Sequence, residues 1–194
     1  MRKIGLFGGT FDPIHFGHIH LALSLQEQKG LNEVWFSPNQ YSPLKEKEAC
    51  RASSLHRLHM VKLGLEELKD SFRVLEYEAL QQGPSYTIDL LRFVRKHLCQ
   101  PGDLVYLLLG EDAALTFAKW HKAEEIVQLA TLLVGTRTCQ GQASHGMFPW
   151  ESVSIPSLQI SSSDIRKRLK LQQYCGHLVP KSVLDYINTN KLYC

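Results

Sequence analysis

Gly8-Gly9-Thr10-Phe11-Asp12-Pro13-Ile14-His15-Phe16-Gly17-His18 is the stretch from which the fold is read. The residues before it, Arg2-Lys3-Ile4-Gly5-Leu6-Phe7, form a short apolar run with a basic tip and predict a strand. Beyond it, Ile19, Leu21, Ala22, Leu23 and Leu25 have the dense apolar content of a buried helix. A loop with two glycines between strand and helix lets backbone N–H groups approach an anion, and the helix N-terminus adds partial positive charge there. His15 and His18 stand three apart at the start of the helix, so both project toward whatever the amides hold. The stretch therefore predicts a phosphate site flanked by two imidazoles. A Walker loop would need Gly-Lys-Ser/Thr, and the dinucleotide fingerprint would need G-x-G-x-x-G; the glycines here fall at 5, 8, 9 and 17. An isolated His-x-x-His is more often a pair of polar groups at a helix start, and it is the whole string that carries the phosphate reading.

The chain has 194 residues, room for one well-buried domain, expected to span 1–194 with a C-terminal helical portion from about 160. A net charge of +3 is too weak to suggest a nucleic-acid or membrane partner, and no apolar run reaches the ~18 residues of a membrane span. The start, Met-Arg-Lys-Ile-Gly-Leu-Phe-Gly-Gly, has no long apolar region or cleavage site of a signal peptide. Five widely spaced cysteines (50, 99, 139, 175 and 194) include no C-x-x-C pair, which fits a reducing cytoplasmic setting and neither a disulfide framework nor a zinc site.

Apolar runs at 34–36, 72–75, 104–109, 131–134 and 153–155 alternate with helical spacing at 54–68, 86–98 and 123–129. This alternation predicts an α/β fold with a doubly wound, mainly parallel sheet covered on both faces. Ligands in such sheets bind beyond the carboxyl ends of the strands, so each functional loop should directly follow a strand.

The motifs after the predicted strands fit that rule. Ser37-Pro38-Asn39-Gln40-Tyr41-Ser42-Pro43-Leu44-Lys45 is a proline-punctuated loop whose lysine either reaches a triphosphate as a point charge or is a solvated surface residue. His56 and His59 share a helix face and read as a partly exposed face rather than a metal pair, with Arg57 facing either solvent or an ion-pair partner. Gly83-Pro84-Ser85-Tyr86-Thr87 opens a helix that Ser85 or Thr87 can cap. Gly110-Glu111-Asp112 ends the mid-chain strand, where Asp112 is a partner for ribose hydroxyls or an N-cap. Trp120 is a core anchor or a stacking surface for a planar heterocycle. The stretch 140–149 reads as a mobile surface loop. In Ile160-Ser161-Ser162-Ser163-Asp164-Ile165-Arg166, Ser161 and Asp164 form a capping box, while the hydroxyls and Arg166 in one first turn also make a second anion site.

Taken in order, Gly8 to His18, Pro38-Asn39-Gln40 with Lys45, Pro84-Ser85-Tyr86-Thr87, Gly110-x-Asp112, Trp120 and Ile160-Ser-Ser-Ser-x-Ile165-Arg166 resemble the bacterial nicotinate-nucleotide adenylyltransferases. So does the tail from Leu178-Val179-Pro180 to Leu192-Tyr193, so that the resemblance spans essentially the whole chain. It implies a Rossmann-like nucleotidyltransferase fold, an α/β/α sandwich. The activity implied joins the adenylyl group of ATP to nicotinate mononucleotide, with Mg²⁺ held mainly by the ATP phosphates and no protein metal site.

The resemblance further implies that Gly8, Gly9, Thr10, Phe11, His15 and His18 cradle the phosphates, with His18 meeting the α-phosphate. Lys45 and Arg166 hold the triphosphate, assisted by Ile160, Ser161 and Ser162. Gly110 and Asp112 contact the adenosine ribose. Thr87, Tyr86 and Trp120 define the nicotinate pocket. Two residues depart from the family pattern: Leu44 replaces a histidine before the lysine, and Glu111 replaces a small residue. The rivals are an adenylyltransferase for phosphopantetheine or another phosphorylated acceptor, and a catalytically silent nucleotide sensor. Oligomeric state leaves no trace in the sequence.

Overall fold

The computed structural model describes residues 1–43, 51–136, 148–156 and 158–194. Among these residues six strands, β1 (Lys3–Gly9), β2 (Glu33–Pro38), β3 (Phe72–Val74), β4 (Leu104–Gly110), β5 (Thr131–Thr136) and β6 (Glu151–Ser154), form one sheet in the order β3-β2-β1-β4-β5-β6. Every pairing is parallel. Among the described residues, seven α-helices connect or follow the strands: α1 (Phe16–Lys29), α2 (Ser54–Gly64), α3 (Thr87–His97), α4 (Glu111–Leu115), α5 (Ala123–Leu129), α6 (Ser162–Lys170) and α7 (Lys181–Thr189). The strand order reverses between β1 and β4, so the crevice beyond their carboxyl ends is where this topology binds ligands.

The burial pattern explains why the strands are continuously apolar. In β4, Val105, Leu107 and Leu109 enter one core, with Ile88, Leu91 and Val94 of α3, Ala114 of α4 and Ile126 of α5. Tyr106 and Leu108 enter the other, with Ala22 and Leu25 of α1, Met60 and Val61 of α2, Ile165 of α6 and Ile187 of α7. A strand with a hydrophobic layer on each face has no polar side, which removes the alternation seen in half-exposed strands. Gly5 is one place where the packing requires glycine: a Cβ there would lie 2.9 Å from Leu31 Cδ1 and 3.0 Å from Leu108 Cδ1.

All the predicted strands and helices are present, with differences at their ends and in the details of capping. The first strand runs through Gly8 and Gly9, which pair with Ser37 and Pro38 and do not belong to the loop. The predicted helix over 54–68 ends at Gly64, and a separate 3-10 turn covers Glu66–Leu68. Helix α4, too short to show apolar periodicity, follows Gly110 directly, and Gly110, not Asp112, is its N-cap residue. Tyr86 is the N-cap residue of α3, without a side-chain cap; Ser85 Oγ accepts instead from the Gln40 N–H at 2.8 Å. Among the described residues, no helix is long and apolar enough to cross a membrane.

Candidate active site

The loop from Thr10 to His15 is short and held from several sides. Phe11 takes a left-handed backbone with φ 48°, and its ring is buried against the ends of the strands, edge-on to Phe7 at 5.5 Å and to His18 at 5.0 Å. The same ring explains Gly9, since a Cβ there would lie 2.8 Å from the Phe11 Cζ. Gly8 differs: a Cβ at that position would meet nothing within 4 Å among the described residues, none of which demands glycine there. The Asp12-Pro13 peptide is cis.

His15 is the N-cap residue of α1, with extended backbone, and its carbonyl accepts from the His18 N–H at 2.9 Å. The two imidazoles stack with centroids 3.7 Å apart and planes inclined by 24°. His15 is 4 % exposed, and burial lowers its imidazole from an ordinary 6.5 to about 4, leaving it neutral near pH 7. Its Nδ1 is buried and has no hydrogen-bond partner among the described residues. Gly17 permits this placement, because a Cβ at 17 would lie 3.0 Å from that Nδ1.

Helix α6 docks onto the same loop. Ser162 Oγ donates to the Pro13 carbonyl at 3.0 Å, and Arg166 Nη1 donates to the Asp12 carbonyl at 2.7 Å. Arg166 Nη2 also donates to Ser163 Oγ at 3.1 Å. Ser161 caps the helix by accepting from the Asp164 N–H at 3.1 Å and donates to the Asp164 carboxylate at 2.7 Å. The Ser161 hydrogen bond and the Lys167 ammonium hold the Asp164 carboxyl below the usual range. The capping box is therefore formed, and the Ser161 and Ser162 hydroxyls already have protein partners.

These elements surround a cleft of about 610 Å³ beyond β1 and β4, lined by Thr10, Phe11, Asp12, His15, His18, Gly110, Asp112, Ile160, Ser161, Ser162 and Arg166 among others. Gly8 and Gly9, the last residues of β1, are not among the residues that line it. Thr87, Tyr86 and Trp120 do not line it. The structure gathers two of those elements elsewhere: the Tyr86 ring lies 4.7 Å from that of His121, the neighbour of Trp120, and Trp120 packs at 5.4 Å on Phe117. Lys45, with Leu44, lies outside the described residues, as do 140–147 of the stretch read as a surface loop.

Four residues of the site architecture had no separate role in the sequence reading. Asp12 is 2 % exposed and accepts from the Arg51 and Ala52 N–H groups at 2.8 and 3.2 Å and from the Tyr193 hydroxyl at 2.6 Å. Glu78 is buried beside the end of β2, where it accepts from Ser37 Oγ at 2.7 Å, and burial pushes its carboxyl up to about 7. His20 Nε2 lies 2.8 Å from the Pro156 carbonyl at the cleft wall. Tyr193 follows α7, far along the chain from the motif it touches.

Arg57 corrects an expectation. It is fully buried and turned away from solvent, donating to the Thr10 carbonyl at 2.6 Å, the Gln40 carbonyl at 2.6 Å and the Ala52 carbonyl at 3.2 Å. It therefore ties the loop after β1 to the loop after β2. His56 is half-buried and His59 exposed, as expected of a partly exposed face; His56 Nδ1 also lies 2.8 Å from the Tyr186 hydroxyl, and His59 stacks on that ring at 4.7 Å, joining α2 to α7. Among the described residues, no group of three or more His, Cys, Asp or Glu side chains is placed to hold a metal.

Residues 6–168 match the family model described as cytidylyltransferase-like. The chain is 35 % identical over 193 residues to the nicotinate-nucleotide adenylyltransferase of Bacillus subtilis (strain 168), covering 100 % of this chain and 99 % of that protein. Among solved structures it is similar to Plasmodium falciparum nicotinic acid mononucleotide adenylyltransferase complexed with NaAD, with a TM-score of 0.75 and 21 % identity, covering 100 % of this chain and 98 % of that one. The same Plasmodium protein complexed with APC gives a TM-score of 0.74, again at 21 % identity and with the same coverage.

Proposed function

The chain belongs to the cytidylyltransferase-like family, and from that premise we propose that it is a nicotinate-nucleotide adenylyltransferase of NAD biosynthesis. It transfers the adenylyl group of ATP to nicotinate mononucleotide, giving nicotinate adenine dinucleotide and pyrophosphate. The observation that carries this reading is the cleft at the switch point, where the start of α6 docks on the β1–α1 loop and brings Arg166 to the same cavity as His15 and His18.

The chemistry asks little of the protein in proton transfer. The attacking group is a phosphate oxygen of the mononucleotide, already ionised at neutral pH, so no general base is required. The leaving group is pyrophosphate, which Mg²⁺ brought in with ATP would neutralise. What remains is alignment of two polyanions for in-line attack and stabilisation of crowded negative charge.

The residues on the cleft suit that task. The α1 N-terminus and His18 would meet the α-phosphate. Arg166, with five N–H donors and two of its hydrogen bonds made to protein oxygens, would hold the triphosphate together with Lys45. A polyanion beside His15 favours its imidazolium form, opposing the burial that keeps it neutral without substrate. Open space above Gly8 would admit a phosphate group to the main chain. Gly110 and Asp112 would bind the ribose of ATP. Thr87, Tyr86 and Trp120 would form the nicotinate end of the acceptor site, beside His121. A metal would be carried by the substrate's phosphates, beside the imidazoles and the guanidinium that line the cleft. The cytoplasm is the setting we assign to the reaction.

The test is pyrophosphate release from Mg-ATP, with nicotinate mononucleotide, nicotinamide mononucleotide and phosphopantetheine offered in parallel. Release with nicotinate mononucleotide alone, or far faster, is the expected result. Release only with phosphopantetheine would keep the chemistry and remove Thr87 and Trp120 from the acceptor site. ATP binding without release would make the protein a nucleotide sensor.

A further inference from the structure

The Asp12 carboxylate is buried at 2 % exposure, directly beneath the cleft. Its Oδ1 accepts from the Tyr193 hydroxyl at 2.6 Å and the Ala52 N–H at 3.2 Å, and its Oδ2 from the Arg51 N–H at 2.8 Å. Arg166 Nη1 stands further off, 3.7 Å from Oδ2, while it donates to the Asp12 main-chain carbonyl at 2.7 Å. A buried carboxylate needs its lone pairs satisfied, and removing one donor transfers that demand to the nearest cation. Among the described residues, the cation paired with this carboxylate is Arg166, the guanidinium that closes one wall of the cleft.

We infer that Tyr193 is a positioning residue for the reaction: its hydroxyl satisfies the buried Asp12 carboxylate and thereby leaves the Arg166 guanidinium extended toward the triphosphate. The inference rests on the proposed adenylyl transfer, because it assigns Arg166 to the triphosphate. The segment after α7 is shaped for this contact. Leu192 N–H donates to the Ile187 carbonyl at 3.0 Å, and Lys191 and Tyr193 both take left-handed backbone, with φ 50° and 66°, while Leu192 and Tyr193 pack against the core. Burial, followed by the Asp12 charge, raises the Tyr193 phenol far above its ordinary range, so it stays protonated and donates at any working pH.

The experiment is a double-mutant cycle between Tyr193→Phe and Arg166→Ala, with Tyr186→Phe as control. Tyr186 also joins α7 to the body through its hydroxyl, at 2.8 Å from His56 Nδ1, but is not among the residues that line the cleft. Tyr193→Phe is expected to lower kcat/KM for Mg-ATP on the order of tenfold, with KM for nicotinate mononucleotide changed less than twofold. In the Arg166→Ala background the same substitution should have no further effect. Tyr186→Phe should leave both constants as in the parent.

Three outcomes overturn the inference: an unchanged kcat/KM for Mg-ATP in Tyr193→Phe, effects that multiply in the double variant, or an equal loss in Tyr186→Phe. Should Tyr193→Phe fail to fold, the unaltered protein carries the test. Linkage requires an ATP analogue to slow amide hydrogen exchange in residues 187–194 more than in α3, and equal slowing in both would overturn the inference. A parent protein with no adenylyl transfer to nicotinate mononucleotide would instead overturn the functional reading on which this one stands.

Discussion

Two histidines of like spacing and sequence context fare differently once folded. His15 is 4 % exposed and neutral near pH 7, whereas the His18 ring stands edge-on to Phe11, although both line the cleft. In the proposed reaction His18 would be the imidazole that meets charge developing at phosphorus, with His15 stacked beside it. His18→Ala should lower kcat on the order of 10²-fold or more, as for loss of one preorganised donor to a transition state, while the substrate KM values change much less. Steady-state kinetics with each substrate varied would check this, and unchanged turnover would remove His18 from the catalytic role.

At the scale of elements, the site is a junction of loops held by buried polar contacts. Arg57 of α2 grips carbonyls of the loops after β1 and β2, so its replacement leaves buried acceptors without a donor. Arg57→Met should destabilise the fold by about 3 kcal/mol, read as a fall in the urea midpoint without a change in slope. The start of α6 makes a smaller contribution. Ser161→Ala removes a formed cap and should cost about 1 kcal/mol. If the Ser161 hydroxyl also touches phosphate, the same variant will weaken ATP binding, measured by calorimetry; unchanged affinity would reduce the residue to its capping role.

Across the whole molecule, two buried groups shape stability in opposite senses of pH. His15 titrates at about 4 folded against 6.5 unfolded, so the unfolded chain takes up the proton first as pH falls. Its contribution is present above pH 6.5 and is lost on acidification toward pH 4, by ~3 kcal/mol. Glu78 titrates at about 7 folded against 4.5 unfolded, so its contribution is present below pH 4.5 and is lost as pH rises to 7, by a similar ~3 kcal/mol. Glu78→Gln preserves an acceptor for Ser37 Oγ and has no charge to bury. Urea unfolding should therefore find Glu78→Gln ~3 kcal/mol more stable than the parent at pH 8 and nearly equal to it at pH 4.5. Equal stabilities at both pH values would show that Glu78 is ionised without penalty in the fold.

How much of this was legible in sequence follows from the range of the forces involved. The strand–loop–helix around Gly8 to His18, the apolar runs of the sheet and the Ser161 capping box depend on neighbours a few residues away, and local spacing determined them. The same spacing placed Gly8 and Gly9 in a loop, because a strand's end is set by pairing with Ser37 and Pro38, which lie on another segment. Arg57 read as facing either solvent or an ion-pair partner, because the carbonyls that bury it come from two distant loops. Only the tertiary structure could bring Tyr193 to Asp12 across 181 positions, and only burial could separate His15 from its ordinary titration or lift Glu78 toward neutrality. The sequence by itself determined the parts and their chemistry, since motifs and periodicity are local. Which groups are desolvated and which charges share a buried partner was decided by the fold, since both depend on contacts between segments far apart in the chain.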